Sequence, residues 1–334
     1  MKAITYQPTC DQFQLSDIPV PTAFENQALI KVITCGLNPV DTKIPNWQHL
    51  VENMDSHFIV GLDVVGEIVD ISAQNTPWQV GDKVLFHGNM FDPNGGLAEY
   101  CLQDHRTLTR LPNISDDFAA STPCAGWTAW RALVDKLRVQ TKRSLLIAGG
   151  SGGVGGFAIQ LARYFGVKTI IATCSEKNAD YVKQLGATHI IDYQNQDVVT
   201  EVIAITANQG VDIALDCVGA QSELYCANSL KFDGEMVELV ETADLNRYLQ
   251  AKARGITVHQ LSLGAGYNHG NAGRDSIRRA GESFNKLLEQ GDITPPKIAT
   301  LPLEEAASAL MEIRNQRTVG KIVVDVSGQG RTSC

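Results

Sequence analysis

The sequence lacks any apolar run long enough to cross a bilayer, and its first residues lack the apolar core of a secretory signal peptide. It also lacks clusters of lysine and arginine, because its 28 basic residues are scattered among 37 acidic ones. The net charge of -9 disfavours binding to nucleic-acid phosphates. We therefore expect a cytoplasmic protein with a small-molecule substrate and with neither a membrane nor a nucleic acid as its partner.

Paired cysteines are absent as well. The eight cysteines occur singly, without any C-x-x-C, which argues against both a disulfide framework and a zinc ribbon. Most of them are expected to be buried thiols. Glycine, by contrast, is abundant, with 29 residues, and this indicates tight turns or backbone that lies close to a ligand.

The length of 334 residues predicts two domains, with function in the cleft between them. Residues 29–33, 64–69, 83–86 and 99–102 have the pattern of short strands separated by turns, so the first part is predicted to be a compact, mostly β domain. From about Ser121 onward, strand and helix patterns alternate. This alternation is typical of a parallel sheet with helices on both faces.

Six strands are predicted in that second part, at residues 144–148, 169–172, 189–191, 211–215, 236–240 and 256–258. A doubly wound Rossmann sheet has this number of strands, so the predicted fold class is α/β. Beyond about Gly264 the chain is polar and rich in glycine, with helices predicted at 283–289 and 304–315. The last predicted strand, 321–326, has no helix after it, and we expect it to return to the first domain and complete it.

A glycine-rich loop directly follows the first strand of the predicted parallel sheet. Its G-x-G-x-x-G motif consists of Gly150, Ser151, Gly152, Gly153, Val154 and Gly155. Such glycines let backbone N–H groups approach a pyrophosphate at the positive end of a helix dipole, and they let the helix pack closely on the strand. The position between a strand and a helix predicts a dinucleotide site, although a purely structural turn can also be rich in glycine.

The choice between NAD and NADP depends on the end of the second strand of that sheet. NAD-specific proteins usually have an acidic residue there, about 20 residues beyond the loop, which binds the ribose 2′-hydroxyl. Here the strand end is neutral, Ser175 can donate to a phosphate, and Lys177 can supply positive charge, so NADP(H) is favoured. The acidic Glu176 favours NAD instead, and residues 175–178 could also simply cap the helix that begins near Ala179.

Several stretches, in their order and spacing, resemble the medium-chain dehydrogenase/reductase superfamily and, within it, the zinc-free quinone oxidoreductase (zeta-crystallin-like) group. The stretches are CGLNPVD at 35–41, GLDVVGEIV at 61–69, GDKV at 81–84, GGLAEY at 95–100, AGWTAW at 125–130, the glycine loop, LGA at 185–187 and GKIV at 320–323. The resemblance implies a β-rich, chaperonin-10-like (GroES-like) catalytic domain from residues 1–120 and 265–334. It also implies a Rossmann NADP-binding domain from residues 121–264, and a homodimer formed by edge pairing of the Rossmann sheets.

The residues that bind catalytic zinc in this superfamily are mostly replaced. Zinc-dependent alcohol dehydrogenases have a cysteine at the position of Asn38 and Gly-His-Glu at the position of Gly61-Leu62-Asp63. Cys124 falls near the third ligand position but lacks its partners. The four-cysteine structural zinc lobe is missing too, because residues 87–100 contain no cysteine. We therefore expect a protein without metal.

Loss of zinc changes the chemistry that the resemblance implies. Alcohol oxidation would be poor, because no Lewis acid stabilises the alkoxide. Quinones and alkenes conjugated to a carbonyl disperse the incoming charge onto an oxygen that hydrogen-bond donors can stabilise. The side-chain amide of Asn38 is the expected donor, unless it only caps loop backbone. The predicted activity is NADPH-dependent hydride transfer to quinones or other conjugated carbonyl compounds.

The same resemblance implies further site residues. Asp41 would organise the active-site loop. Trp47 lies in a variable stretch that could line the substrate mouth, where its ring could stack on a quinone, although a surface aromatic fits there equally well. His49, in the same stretch, could relay a proton. The residues implied to surround the cofactor are Thr128, Tyr193, Val218, Gly219, Leu239, Leu261, Arg317 and Lys321. Of these, Arg317 fits a solvated surface position equally well.

Three other functions remain open from the sequence. A 2-alkenal or enoyl reductase of the same superfamily would use the same hydride donor together with a proton donor for the α-carbon. A zinc-type alcohol dehydrogenase with rearranged ligands would contain stoichiometric metal. A non-catalytic nicotinamide-binding protein, with a sensing or structural role, would bind the cofactor without turnover.

Overall fold

The computed structural model describes residues 1–51, 54–55, 57–315 and 320–328. The chain divides into two compact units. Met1–Trp127 and Gly264–Cys334 form the first, called the β-rich unit below, and Thr128–Leu263 forms the second, called the Rossmann unit. No helix within the described residues is both long and apolar enough to cross a membrane.

The chain passes from the β-rich unit into the Rossmann unit after Trp127, a few residues beyond Ser121, where the sequence predicts the boundary. Side-chain packing explains this position, because the ring of Phe284 lies against Gly126 and the ring of Trp127 lies against Gly281. A Cβ atom on either glycine would collide with the opposing ring. The segment that returns from the second unit therefore packs on residues up to Trp127.

The β-rich unit is built mainly from antiparallel strands. Its first segment contains β1 (Lys2–Gln7), β2 (Gln12–Asp17), β3 (Gln27–Gly36), α1 (Ile44–Trp47), β4 (Asp63–Ser72), β5 (Lys83–His87), β6 (Tyr100–Asp104), β7 (Thr109–Arg110) and α2 (Asp116–Ala120). Strand β3 is central, since it pairs with both β4 and β6. Its alternating buried positions, Ala28, Ile30 and Val32, face the core of the unit.

The Rossmann unit has the predicted parallel sheet. Its elements are α3 (Thr128–Trp130), β8 (Ser144–Ala148), α4 (Gly153–Tyr164), β9 (Thr169–Cys174), α5 (Ala179–Leu185), β10 (His189–Asp192), α6 (Val198–Ile205), β11 (Val211–Asp216), α7 (Gln221–Asn228), β12 (Leu230–Glu238), α8 (Ala251–Arg254) and β13 (Thr257–Gln260). Among the described residues the six strands pair in the order β10-β9-β8-β11-β12-β13, and every pairing is parallel. The doubly wound prediction is confirmed.

The last segment belongs to the β-rich unit. It contains α9 (Gly270–Gln290), β14 (Ile298–Pro302), α10 (Ala306–Arg314) and β15 (Lys321–Asp325). Strand β15 pairs antiparallel with β3 and parallel with β14, so it extends the sheet of the first segment. This pairing brings the side chain of Lys321 to the end of β3, where the candidate site begins.

One helix prediction in this segment was wrong in extent. Helix α9 begins at Gly270 rather than near residue 283, and it is 21 residues long. Its early glycines weaken the helical pattern in the sequence. In the structure they serve close packing, because a Cβ on Gly273 would collide with the backbone of Gly266. Of the cysteines, Cys35, Cys101, Cys174 and Cys226 are buried, as expected, whereas Cys10 is exposed.

Candidate functional site

The turn that follows β3 carries two of the predicted catalytic residues. Asn38 precedes a 3₁₀ turn, Pro39–Thr42, whose proline suits the first position of such a turn. The N–H of Asn38 donates to Oδ2 of Asp41 at 2.8 Å, and the N–H of Asp41 donates to the carbonyl oxygen of Asn38 at 3.1 Å. Both residues are buried. The two hydrogen bonds hold the turn closed around Asn38.

A second carboxylate, which the sequence did not single out as a site residue, lies beside Asn38. Asp63, the first residue of β4, is fully buried, and its Oδ2 accepts from Nδ2 of Asn38 at 2.9 Å. Its Oδ1 accepts from the N–H of Cys124 at 2.7 Å. Only its place in the family motif, after Leu62, could have singled it out.

Lys321 supplies the positive charge of this group. Its Nζ donates to Oδ1 of Asn38 at 2.5 Å and lies 3.5 Å from Oδ2 of Asp63. The side chain is only 5% exposed, so the ammonium group and the Asp63 carboxylate are desolvated together. The resemblance implied that Lys321 approaches the cofactor. The structure brings it to Asn38 and Asp63 within the β-rich unit.

The expectation that the amide of Asn38 is free to donate to a substrate does not agree with this arrangement. Nδ2 of Asn38 donates to Asp63 and, at 3.4 Å, to the carbonyl oxygen of Gly36. An amide NH₂ group has two hydrogens, and both are engaged. The ammonium group of Lys321 has three hydrogens and two acceptors in the cluster, so it retains a donor.

The charges in this cluster influence one another. Burial, and then the nearby negative charge of Asp63, raise the pKa of Asp41 to about 7. The hydrogen bond from the N–H of Asn38 and the charge of Lys321 act in the opposite direction. His87, the register partner of Asp63, is buried, and burial lowers its pKa, so its ring is neutral at neutral pH. The pKa of Asp41 therefore lies near neutral pH.

The residues at the superfamily's zinc-ligand positions do not fit a zinc ion. Oδ1 of Asn38 is occupied by a cation, the ammonium group of Lys321, and Leu62 has no ligand atom. Burial raises the pKa of the Cys124 thiol well above its usual range, whereas zinc binds thiolate. The described residues include no group of three or more His, Cys, Asp or Glu side chains placed to hold a metal ion.

Trp47 lies at the end of α1 and is only 9% exposed, so it is not a surface aromatic. Its ring packs at 6.0 Å from the ring of Phe58 and edge-on at 5.9 Å from that of Phe91. Trp47 and Phe58 line a small pocket together with Asp41. His49, by contrast, is exposed in the following turn.

The glycine loop lies between β8 and α4 in the Rossmann unit. Gly152 caps the helix, and the first helical hydrogen bond runs from the N–H of Gly156 to the carbonyl oxygen of Gly152 at 2.8 Å. The N–H groups of Gly153, Val154 and Gly155 precede this bond and have no partner within the helix, which is the arrangement found at anion-binding helix starts. A Cβ on Gly155 would collide with the carbonyl oxygen of Gly149, so the loop requires glycine there.

The residues predicted to select NADP lie at the carboxyl ends of neighbouring strands. Ser175 and Lys177 follow β9, Tyr193 follows β10, and the three residues line one open pocket together with Glu176. Lys177 and Tyr193 are exposed, so both can reach a ligand from solvent. The pocket therefore contains a cation and hydroxyl donors, but also the carboxylate of Glu176.

Asn178 connects this pocket with the glycine loop, and the sequence indicated no such role for it. Its Nδ2 lies 3.3 Å from both Oγ of Ser151 and Oγ of Ser175. The expected alternative, a simple helix cap, is not what the side chain does, because neither Ser175 nor Asn178 makes a side-chain capping bond. The amide links two loops that a dinucleotide would contact.

The remaining cofactor positions lie in the Rossmann unit, with one exception. Thr128 and Leu261 are buried, Val218 is exposed, and Leu239 follows directly after β12. Gly219 has a positive φ of 85°, a conformation that favours glycine. Arg317 lies outside the described residues.

Comparison with known families agrees with this architecture. The model of the alcohol dehydrogenase GroES-like domain matches residues 25–119, and the model described as zinc-binding dehydrogenase matches residues 153–268. A chloroplastic quinone oxidoreductase of Triphysaria versicolor is 35% identical over 324 residues, which are 92% of each chain. A trans-enoyl reductase of Aspergillus terreus is 32% identical over 225 residues, 64% of this chain and 62% of that protein.

Solved structures show the same fold along the whole chain. An alcohol dehydrogenase superfamily protein of Novosphingobium aromaticivorans has a TM-score of 0.87 at 27% identity and covers 98% of this chain and 99% of its own. A mycobacterial protein complexed with NADPH has a TM-score of 0.83 at 25% identity, and the match covers 98% of this chain and 100% of that protein. The chain also spans 13% of a mycocerosic acid synthase-like polyketide synthase of Mycobacterium tuberculosis, at 29% identity over 279 residues.

Fold, motifs and relatives together define an oxidoreductase with a GroES-like domain and a Rossmann domain. The chain belongs to the medium-chain dehydrogenase/reductase superfamily, in its quinone oxidoreductase-like group. The predicted fold class and resemblance are confirmed.

Proposed function

We propose that the protein reduces quinones or other conjugated carbonyl compounds with NADPH and without zinc, as a cytoplasmic enzyme acting on a small-molecule substrate. One observation carries the proposal, namely the ammonium group of Lys321 held between Asn38 and Asp63. Both residues occupy motif positions that surround zinc in the metal-dependent members. A fixed positive charge thus lies beside two of those motif positions.

The Rossmann unit fits the nicotinamide cofactor. Its glycine loop can hold the pyrophosphate at the start of α4, and the loop packs so closely there that a Cβ at Gly155 would collide with the carbonyl oxygen of Gly149. Ser175 and Lys177 can bind a 2′-phosphate through a hydroxyl and an ammonium group. The reduced cofactor, when bound, supplies the hydride. An NADPH complex of a mycobacterial relative supports this assignment.

The β-rich unit supplies charge for the substrate oxygen. When a quinone accepts a hydride at a ring carbon or oxygen, negative charge remains on an oxygen, and one proton completes the hydroquinone. The remaining N–H of Lys321 can stabilise that oxygen in a dry site. Asp41 holds the turn of Asn38 in place, and Trp47 lines the small pocket beside it that we assign to the substrate.

The test is NADPH consumption against a panel of ortho-quinones, para-quinones and conjugated enones, with NADH as the paired control and a chelator in every reaction. We expect quinone turnover that prefers NADPH and is indifferent to the chelator. Turnover of alcohols alone, lost on chelation, would overturn the zinc-free assignment. Cofactor binding without turnover of any substrate would instead favour a binding protein.

Replacement of Lys177 by Gln tests the cofactor preference. The loss of one cation is expected to raise KM for NADPH by about tenfold, while KM for NADH stays unchanged, because only NADPH carries the 2′-phosphate. The matched control is Lys183→Gln, an exposed lysine on α5. An equal effect of K177Q on both cofactors would contradict 2′-phosphate binding at this pocket.

Enoyl or 2-alkenal reduction is the second candidate, and the match to a trans-enoyl reductase favours it. That reaction uses the same hydride but requires protonation of the α-carbon. Including 2-alkenals and enoyl thioesters in the panel separates the two activities. A kcat/KM for an alkenal at least tenfold above that for every quinone would reassign the substrate class.

A further inference from the structure

Two acidic residues are buried side by side at the carboxyl ends of β11 and β12, outside the residues assigned above. Asp216 ends β11 and Glu238 ends β12, and the two are register partners in the parallel sheet. Asp216 is fully buried and Glu238 is 1% exposed. Charged groups are almost never buried this completely unless they have partners.

Asp216 holds the turn that follows β11. Its Oδ1 accepts from the N–H of Val218 at 2.9 Å, from the N–H of Gly219 at 3.2 Å and from Oγ of Ser222 at 2.6 Å. The single hydroxyl hydrogen of Ser222 is shared with the carbonyl oxygen of Gly219, which lies 2.7 Å from the same Oγ. The carboxylate therefore determines the backbone path of Val218 and Gly219, two residues of the proposed nucleotide groove.

Glu238 holds the turn that follows β12 in the same way. Its Oε1 accepts from the N–H of Val240 at 2.6 Å and from the N–H of Glu241 at 2.7 Å. The two turns touch, because a Cβ on Gly219 would lie 3.0 Å from Cγ1 of Val240. The spacing of the turns thus depends on the spacing of the two carboxyl groups.

The second carboxyl oxygen of Glu238 explains how two acidic side chains can be buried next to each other without charge repulsion. Oε2 of Glu238 receives no hydrogen bond from any donor in the described part of the chain. Burial, and then contact with Asp216, raise the pKa of Glu238 above its usual range. A proton on Oε2 can be donated to Asp216, which satisfies both groups and removes the repulsion.

We propose that Asp216 and Glu238 are positioning residues for the cofactor, whose shared proton keeps the two turns in their binding geometry. This inference rests on the proposed NADPH binding. When the proton is released at alkaline pH, two adjacent buried negative charges repel, the turns separate, and the affinity for NADPH falls.

Other ionisable groups face the pair, and burial keeps the thiols and phenols among them neutral. Burial raises the pKa of Cys217, in the turn after β11, and of Cys226 and Tyr225 on α7. It also raises the pKa of Tyr248, whose hydroxyl donates to Glu223 at 2.5 Å. The carboxylate of Glu223 lies in addition 3.8 Å from the guanidinium group of Arg247. Titration in the alkaline range is thus assigned to the pair itself.

The experiment measures the Kd for NADPH by its fluorescence, from about pH 6 to about pH 9.5, with wild type, Glu238→Gln and Asp216→Asn. The amide oxygen introduced by either substitution can still accept from the backbone N–H groups of the turn. Its NH₂ group donates to the remaining carboxylate at every pH. We expect the Kd of wild type to rise at least about fivefold toward the alkaline limit, and that of both variants to stay constant. Glu241→Gln, an exposed neutralisation on the same turn, should retain the wild-type pH dependence.

Each outcome has a separate meaning. A Kd of wild type that is independent of pH, or variants with the same alkaline loss as wild type, would overturn the positioning role while leaving NADPH binding intact. Absence of NADPH binding by wild type at every pH would refute the proposed function itself. If one variant fails to fold, the other still carries the test, because each removes one ionisable group of the pair.

Discussion

A lysine ammonium group balances the negative charge that Asp63 brings into the β-rich unit. Desolvation of both ions is costly, and it is offset by their attraction together with the hydrogen bonds to Asn38 and to the N–H of Cys124. The resulting cluster is a fixed charge arrangement that can act on a substrate oxygen without reorganisation. Asn38, at one of the superfamily's zinc-ligand positions, thereby contacts a buried ion pair.

The first prediction concerns Lys321→Met. Removal of the ammonium group leaves Asp63 charged and buried, so the free energy of unfolding should fall by about 3 to 5 kcal/mol. The double variant K321M/D63N removes both charges and should regain much of that stability. Quinone turnover should remain at least about 100-fold below wild type in both. Denaturant unfolding and NADPH-coupled assays measure these quantities.

The control for that prediction is Lys2→Met, which removes a lysine from an exposed ion pair with Glu304. Its stability and turnover should stay near wild type, because solvent screens such pairs. Full turnover by the stable double variant would show that Lys321 has a structural role only.

Asp41 leads to a prediction about pH and stability. Its pKa of about 7 in the folded chain lies above the ordinary value of 3.8. The folded state therefore keeps a proton that the unfolded chain loses, and the contribution of Asp41 to stability decreases as pH rises from about 4 to about 7. Asp41→Asn removes this dependence, so the variant should gain about 4 kcal/mol relative to wild type between pH 4 and 8.

Urea unfolding of wild type, D41N and Asp180→Asn at several pH values measures that difference. Asp180 is an exposed residue at the start of α5, so its variant should follow the wild-type curve. Parallel curves for wild type and D41N would mean that Asp41 is ionised throughout this range.

At the scale of elements, β8, the glycine loop and α4 of the Rossmann unit together form the proposed pyrophosphate site. Strand β8 is buried almost throughout, and α4 begins directly after the loop. Close contact between the loop and the helix start is possible only because Gly155 has no side chain. The geometry of the anion-binding amides depends on that contact.

Gly155→Ala should therefore weaken NADPH binding by at least about tenfold, because the added methyl group displaces the loop. Gly156→Ala is the matched control on the same helix. Its Cβ would lie 3.3 Å from the end of the Leu185 side chain, which can move. Its Kd should stay within about twofold of wild type, since alanine also favours the helix. Equal Kd values for both variants would argue against the loop as the pyrophosphate site.

At the scale of the whole molecule, we predict a homodimer formed through an edge of the Rossmann sheet. Strands β10 and β13 are the edge strands of that sheet within the described residues. An unpaired edge offers backbone donors and acceptors to a second copy. Light scattering coupled to size exclusion should give twice the mass of the chain at micromolar concentration, and a monomer mass would contradict the prediction.

Much of the fold could be predicted because its signals are local. Neighbouring residues alone reveal the apolar run of β8, the motif that follows it and the six strands of the parallel sheet. They also reveal that residues 321–326 form a strand. Helix α9 is the exception, because Gly273 and Gly281 obscure a pattern that only their packing partners explain. The change of unit after Trp127 has the same cause.

The sequence by itself determined the superfamily, the two kinds of domain and the candidate residues at motif positions. Tertiary structure alone decided which side chains meet. Asn38 and Lys321 are 283 positions apart, and their contact exists because β15 pairs with β3. Asp216 and Glu238 face each other because β11 and β12 are neighbours in register. Hydrophobic patterns are local, so they can be identified from the sequence. Ion pairs and shared protons depend on distances between residues on different strands, and these distances are set only when the chain folds.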